Sequence, residues 1–324
     1  MTENKLKIHY WEMPEDLFIE LKEEEHKKLF SIIQSKLCSK YKNCNYVLLK
    51  CPKYHAQRLF NQEIRFTIKE LEILRKFADI SEEEIENNIE NIGNHEDGTI
   101  IKNPRFPFNL KDIIYVASHL MFDGSYRYKK GNYFYVHETS LLEYHKMRLN
   151  NFGEVPINFI EKEEQLYFSY TIAFIASKLL EINDFRSLKV TLSNKFKILV
   201  KENKELLDEF IKAMIINEGY IEDKIRIELG DNEEFVKDIY EVVSVFYKLN
   251  NLRHRFRSIE FKKVNKKYVN TKSWIIEINP TSFQLLYESI NPLPIDYKQI
   301  NFELLYKRKT RTWSQRKVKQ KNLS

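Results

Sequence analysis

The stretch "ASHLMFDGSYRY", Ala117 to Tyr128, is an apolar, helix-like run that stops at an acid and turns at once on a glycine. The C-terminal end of a helix carries partial negative charge, so a carboxylate there is disfavoured by up to about 1 kcal/mol. The chain repeats the device in "FIKAMIINEGYIEDK", Phe210 to Lys224. The sequence has only seven glycines in 324 residues, so two placed directly after a helix-ending acid carry weight. Gly124 and Gly219 are expected to take the left-handed conformation that ends a helix.

Working outward, each acid–glycine pair heads a matching series. After Gly124, "SYRYKKGNYFYVHE" reads as a hairpin, "TSLLEYHKMRLNNFG" as a helix, "PINFIEKEEQLYFSY" as a second hairpin and "TIAFIASKLLEI" as a helix. After Gly219 the order recurs in "YIEDKIRIEL", "NEEFVKDIYEVVSVFYKLNNL", "RHRFRSIEFKKVNKKYVNTKSWIIEIN" and "PTSFQLLYESI". Both middle helices are expected to end in Leu-Asn-Asn, at Leu149 and Leu249. A repeat of this length points to a duplicated half-domain, not a solenoid. The expected architecture is α+β, with two αββαββα halves over residues 105–182 and 205–295. A mainly helical region over 1–100 precedes them and a basic tail over 296–324 comes after. Residues 67–92 read either as a helix-turn-helix or as an ordinary helical hairpin; the acids Glu82, Glu83, Glu84 and Glu86 favour the hairpin.

Composition narrows the function classes. No apolar run is long enough to cross a membrane, and the charged start lacks a signal-peptide core. With Cys38, Cys44 and Cys51 as the only cysteines, a reducing, cytoplasmic setting is expected. Scarce glycine excludes a glycine-rich phosphate cradle, and no HExxH motif, nucleophile elbow or paired CxxC is present. The net charge of +6 is concentrated at the end: Lys307 to Ser324 holds eight Lys and Arg and no acid, leaving the remainder slightly acidic. Such a segment suits a phosphate backbone, or is simply a solvated, disordered terminus.

If the halves pack about a pseudo-twofold axis through their first helices, small residues are needed where the helices cross. Ser118 and Ala213 occupy the same place in each half, six residues before Gly124 and Gly219. Asp123 and Glu218 then emerge together. Two carboxylates at two negative helix ends are costly alone and become a site for a hard divalent cation such as Mg²⁺. A metal there can activate water and stabilise the leaving oxygen of a phosphodiester. The predicted strands supply cations for a nucleic acid: Arg127, Lys129 and Lys130 in the first half, and Arg253, Arg255, Arg257, Lys262, Lys263, Lys266 and Lys267 in the second. Arg253, Arg255 and Arg257 alternate and share one face.

"VASHLMFDG" and "IKAMIINEG" resemble the two motif copies that name the LAGLIDADG (dodecapeptide, DOD-type) homing endonucleases, and "IIKNPRFPFN" resembles the approach to the first motif in free-standing archaeal members. The resemblance spans roughly residues 105 to 295. It implies a single-chain monomer, internally a pseudo-dimer, whose saddle cuts double-stranded DNA with one motif acid from each half, Asp123 and Glu218. It also implies a basic residue from a late strand near the scissile phosphate. Lys272 is the candidate in the second half, with Lys162 its looser counterpart in the first. Departures are Ser118 in place of glycine, Glu218 in place of aspartate, and an acidic hairpin holding Glu154, Glu161, Glu163 and Glu164. Two other readings fit the same saddle: a DNA-binding regulator without catalysis, and an RNA maturase acting on its own intron. Cys38, Cys44, Cys51 and His55 have irregular spacing for zinc and read more simply as ordinary residues. His119 reads as a packed histidine, and Trp274 as core.

Overall fold

A computed structural model describes residues 6–37, 48–94, 100–127, 131–186, 189–250, 253–260 and 268–321. The chain opens with β1 (Lys7–Ile8), β2 (Phe18–Leu21), α1 (Glu23–Leu37), α2 (Lys53–Phe60), β3 (Phe66–Thr67), α3 (Ile68–Ala78), α4 (Glu82–Glu86), β4 (Ile89–Gly93) and β5 (Ile100–Lys102). Strands β3, β2, β4 and β5 form an antiparallel sheet in that order. Helices α1 and α3 bury Leu29, Phe30, Ile33, Leu71 and Leu74. Among the described residues of this region helix outweighs strand, and the helices pack with a small four-stranded sheet.

Residues 67–92 hold the two expected helices, joined at Asp79-Ile80-Ser81, and then the strand β4. Thr67 and Glu70 cap α3 reciprocally, at 3.1 and 2.9 Å, and the helix ends on Asp79 at a left-handed φ of 64°. Helix α4, however, is only five residues long. The apolar residues after it are isoleucines, whose branching at Cβ favours a strand where a partner strand is at hand. Ile92 lies in register with Ile19 of β2, and both are fully buried.

Backbone pairing ties this unit to the rest of the chain. β1 pairs with β6 (Phe108–Asn109), and Lys102 and Glu154 exchange backbone hydrogen bonds of 3.1 and 2.8 Å. The approach at Glu154 demands a glycine before it: Gly153 has φ +131°, and a Cβ there would meet the Lys102 carbonyl oxygen at 2.7 Å.

Two more four-stranded antiparallel sheets lie further along the chain, and both use the same strand order. Helix α5 (Leu110–Asp123) leads directly into β7 (Gly124–Arg127) and β8 (Gly131–Tyr135). Then come α6 (Thr139–Leu149), β9 (Ile157–Ile160), β10 (Gln165–Phe168) and α7 (Tyr170–Leu180). The sheet order is β7-β8-β10-β9. After a linking helix α8 (Asn194–Glu202), α9 (Lys204–Glu218) leads directly into β11 (Gly219–Ile221) and β12 (Ile225–Leu229). Next are α10 (Glu233–Val243), β13 (Arg253–Glu260), β14 (Tyr268–Glu277) and α11 (Phe283–Ile290). The sheet order is β11-β12-β14-β13. One face of each sheet is core: Phe134, Leu166 and Phe168 in the first, Ile225, Ile227, Trp274 and Ile276 in the second. α10 stops at Val243, short of Leu249-Asn250-Asn251, because Tyr247 folds inward, where it is buried and its hydroxyl engages Asp208 and Lys204.

The basic tail is not a loose terminus over its described length. Helix α12 (Asp296–Lys321) docks its first half, burying Phe302 and Leu305, with Tyr306 stacked on Tyr287 at 4.0 Å. No glycine or proline interrupts the helix, and aromatic packing against α11 anchors it. Among the described residues no helix is long and apolar enough to cross a membrane.

Candidate active site

Helices α5 and α9 pack extensively against each other, with Ala117 and Ser118 of one and Ala213 of the other fully buried. Ser118 satisfies its hydroxyl within its own helix, donating to the Ile114 carbonyl at 2.6 Å, so it buries no unpaired polar atom. Asn109 caps the start of α5 and Asn203 the start of α9, accepting backbone N–H bonds of 2.9 and 3.0 Å. Each helix ends on its acid.

The glycines after the acids are needed for a different reason from the one the sequence suggests. Gly124 has φ −139° and Gly219 φ −86°, so neither is left-handed. Both sit where the strand folds back against the helix it has just left. A Cβ at Gly124 would lie 2.8 Å from the Leu120 Cα and 2.9 Å from the His119 carbonyl oxygen. At Gly219 it would lie 2.6 Å from the Ile215 carbonyl oxygen. Close approach of backbone to backbone excludes any side chain.

Both carboxyls are harder to ionise than usual. Burial, opposed by His137, raises Asp123, and burial reinforced by the charge on Asp123 raises Glu218 to about 7. Two nearby groups partly offset this. His137 places Nε2 3.4 Å from Asp123 and Nδ1 2.9 Å from Glu164. Lys298, at the start of α12, is 5 % exposed and donates to the carbonyls of Ile215 and Ile216 at 3.0 and 2.6 Å. It therefore caps the negative end of α9 with a cation. Burial lowers the Lys298 ammonium to about 8 against the opposing pull of Glu218, Glu138 and Asp123. Neither His137 nor Lys298 belongs to either acid-ended helix, so local pattern does not mark them. The one weak signal for Lys298 was a lysine among apolar residues early in a helix.

Beneath the acids, polar side chains tie the two helices together. Asn217, beside Glu218, lies 3.1 Å from Nδ1 of His119, one turn before Asp123. His119 packs against His145, which is bonded to the Tyr115 hydroxyl; burial keeps both imidazoles neutral. His119 is thus a packed histidine. Deeper still, Arg148 donates to Asp112 of α5 and Glu209 of α9, both at 2.8 Å, and lies 4.2 Å from the Tyr115 ring.

The open faces of the two sheets differ in chemistry. In the second sheet, register sets Arg253, Arg255 and Arg257 opposite Ile275, Ser273 and Thr271, on the face away from buried Trp274 and Ile276. Tyr220, 61 % exposed, and Arg226 pair on the same face. Lys272 lies opposite Phe256 and falls with Trp274 and Ile276, off the arginine face. In the first sheet the open face carries Tyr133, Tyr135 and Tyr167, with Tyr133 centred 5.1 Å from Tyr135 and 5.3 Å from Tyr167. Arg127, at the far end of β7, is the only basic residue on its four strands. Glu161, Glu163 and Glu164 stand exposed at the β9–β10 turn, and Lys162 sits in that turn, not on a strand.

Lys129, Lys130, Lys262, Lys263, Lys266 and Lys267 lie outside the described residues, as do Cys38 and Cys44. Cys51 is free, with its thiol pushed up by burial, and His55 is engaged by Glu70 at 2.7 Å. Among the described residues no group of three or more His, Cys, Asp or Glu is gathered as a metal cage. Asp123 and Glu218 are a two-carboxylate arrangement, and mutual repulsion in a half-buried setting is what a hard cation relieves. No protein-family model matches the chain, and no curated protein matches it.

Proposed function

We propose that the chain is a site-specific, Mg²⁺-dependent double-stranded DNA endonuclease of the LAGLIDADG type. In this reading the two αββαββα halves are related by a pseudo-twofold axis along α5 and α9 and form one saddle in a monomer. The observation that carries it is the pair of packed helices that each end on a carboxyl with a raised pKa, followed at once by a glycine that admits no Cβ.

Asp123 and Glu218 would hold the Mg²⁺, which when bound supplies charge stabilisation and an acidified water for phosphodiester hydrolysis. The chain's own residues prepare that site. Glu218 must lose its proton to act as a ligand, and Lys298 favours the ionised form. The Asn217–His119 contact holds the end of α9 against α5, fixing one acid relative to the other. His137 bridges Asp123 and Glu164 and orients the Asp123 carboxylate. The arginine positions of β13 would meet backbone phosphates.

Mg²⁺-dependent cleavage of a large pool of duplex DNA tests the proposal, with Asp123→Asn and Glu218→Gln as controls. Cuts made by the natural chain and lost in both controls support it; no cuts from a folded natural chain sink it. A second reading, a DNA-binding regulator without catalysis, is favoured by Lys298, whose buried ammonium already neutralises part of the acid pair. An intron RNA maturase on the same scaffold is distinguished by preference for structured RNA over duplex DNA.

A further inference from the structure

The two open sheet faces differ in charge and in aromatic content. Alternating arginine positions on β13 suit phosphates, which carry charge at regular intervals along a duplex. The face of β8 and β10 has the opposite character. Tyr133, Tyr135 and Tyr167 are half-buried and clustered, and their hydroxyls are engaged in the sheet's own polar network. Tyr167 donates to Gln165 at 2.7 Å, and the Tyr133 and Tyr135 hydroxyls lie 3.3 Å apart. Their rings are thereby held in place at little remaining entropic cost. At the rim, Glu161, Glu163 and Glu164 repel phosphates. A closed duplex offers this face only its charged backbone and its groove edges. An unpaired base offers a flat π surface, which is what a tyrosine cluster can use when the basic positions on its face are only Arg127 at the far end of β7 and His137 beside Tyr135.

We infer that the substrate is a DNA junction: a duplex arm lies on the arginine face of the second sheet, and an unpaired arm stacks its bases on Tyr133, Tyr135 and Tyr167 of the first. This rests on the reading of the chain as a DNA-acting protein, and it replaces a uniform duplex with a junction as the preferred ligand. Neutral, aromatic contact also means that the added affinity from the unpaired arm depends little on salt, whereas the duplex arm's contribution falls steeply with it.

Binding is measured by fluorescence anisotropy in EDTA, so that no cleavage intervenes. The probes are a blunt duplex and the same duplex extended by an unpaired DNA arm. The junction is expected to bind about tenfold more tightly, the effect of roughly one stacked base. Tyr133→Ser with Tyr167→Ser should abolish that preference and leave blunt-duplex affinity unchanged, while Tyr133→Phe with Tyr167→Phe keeps it. If the serine variant fails to fold, quenching of a fluorescent base analogue in the arm by the natural protein reads the same contact. Equal affinity for the two probes, a preference that survives the serine changes in a folded protein, or no quenching would overturn the inference. A tighter complex when the unpaired arm is RNA would overturn it in favour of an RNA ligand. Asp123→Asn separates the junction from the nuclease. Loss of cleavage with an intact junction preference is expected. Cleavage by the natural chain without junction preference removes only the junction, and preference without cleavage removes only the nuclease.

Discussion

Glu218→Gln should stabilise the protein at alkaline pH. Burial and the Asp123 charge raise Glu218 from 4.5 to about 7, so the folded chain binds this proton more tightly than the unfolded chain does. Stability from this group is therefore fully present below about pH 4.5 and is lost as pH rises through about 7. The gap corresponds to a ceiling of about 3 kcal/mol lost above neutrality, and sharing of the cost with Asp123 brings the expectation to about 2 kcal/mol. Glutamine keeps the shape and cannot ionise. The variant should therefore match the natural protein near pH 4.5 and melt about 3 °C higher near pH 8.5 in EDTA, a shift scaled to a chain of this size. Thermal melts across that range, without divalent cation, give the result. A variant that melts at the same temperature or lower at alkaline pH would show that Glu218 ionises without strain, and the electrostatic account of the acid pair would be wrong.

Single contacts set the other expected outcomes. Arg148→Met should cost about 3–5 kcal/mol in denaturant unfolding, because Asp112 and Glu209 are left buried without their shared cation; a loss under 1 kcal/mol would mean that water reaches the triad. Gly219→Ala should destabilise by about 2–3 kcal/mol, since the obstructing atom is a backbone oxygen at 2.6 Å; a neutral effect would refute close approach as the reason for glycine. Lys298→Met should raise the Mg²⁺ concentration needed for half-maximal activity near pH 7, because Glu218 holds its proton more tightly without the ammonium, with the gap closing near pH 9; a gap independent of pH would assign Lys298 a purely structural role. Replacing Arg253, Arg255 and Arg257 by alanine should flatten the salt dependence of DNA binding by about one unit of slope per lost phosphate contact, and an unchanged slope would take that face out of the interface.

The acid-ended helices and their flanking hairpins were legible because strong periodicity and rare glycines marked them. The unfavourable ionisation of the two ends was legible too, since a carboxylate at a helix C-terminus runs against the helix dipole. The cause of the glycines was not: φ > 0 and close approach both select glycine, and only the distances at Leu120 and Ile215 separate them. The strand nature of Ile89–Gly93 depended on a partner, β2, some seventy residues earlier, which local pattern cannot supply. Lys272 falls in register with Trp274 and Ile276 and not with the arginine positions of β13, a placement that depends on the β13–β14 pairing, which no local pattern supplies. His137 and Lys298 reach the acids from outside both motif helices, so no spacing in the sequence announces them. The α12 helix was obscured by its charge, while the anchoring residues Phe302, Leu305 and Tyr306 lie just before the basic run.

Everything proposed for the chemistry depends on Asp123 and Glu218 forming one divalent-cation site. Titrating the protein with Mn²⁺ near pH 8 and following the free ion by electron paramagnetic resonance tests this without any need for substrate. The expected result is bound Mn²⁺ that Mg²⁺ displaces, and loss of that binding in both Asp123→Asn and Glu218→Gln while each variant stays folded. Binding that survives either change, or no binding by the natural chain, would contradict it.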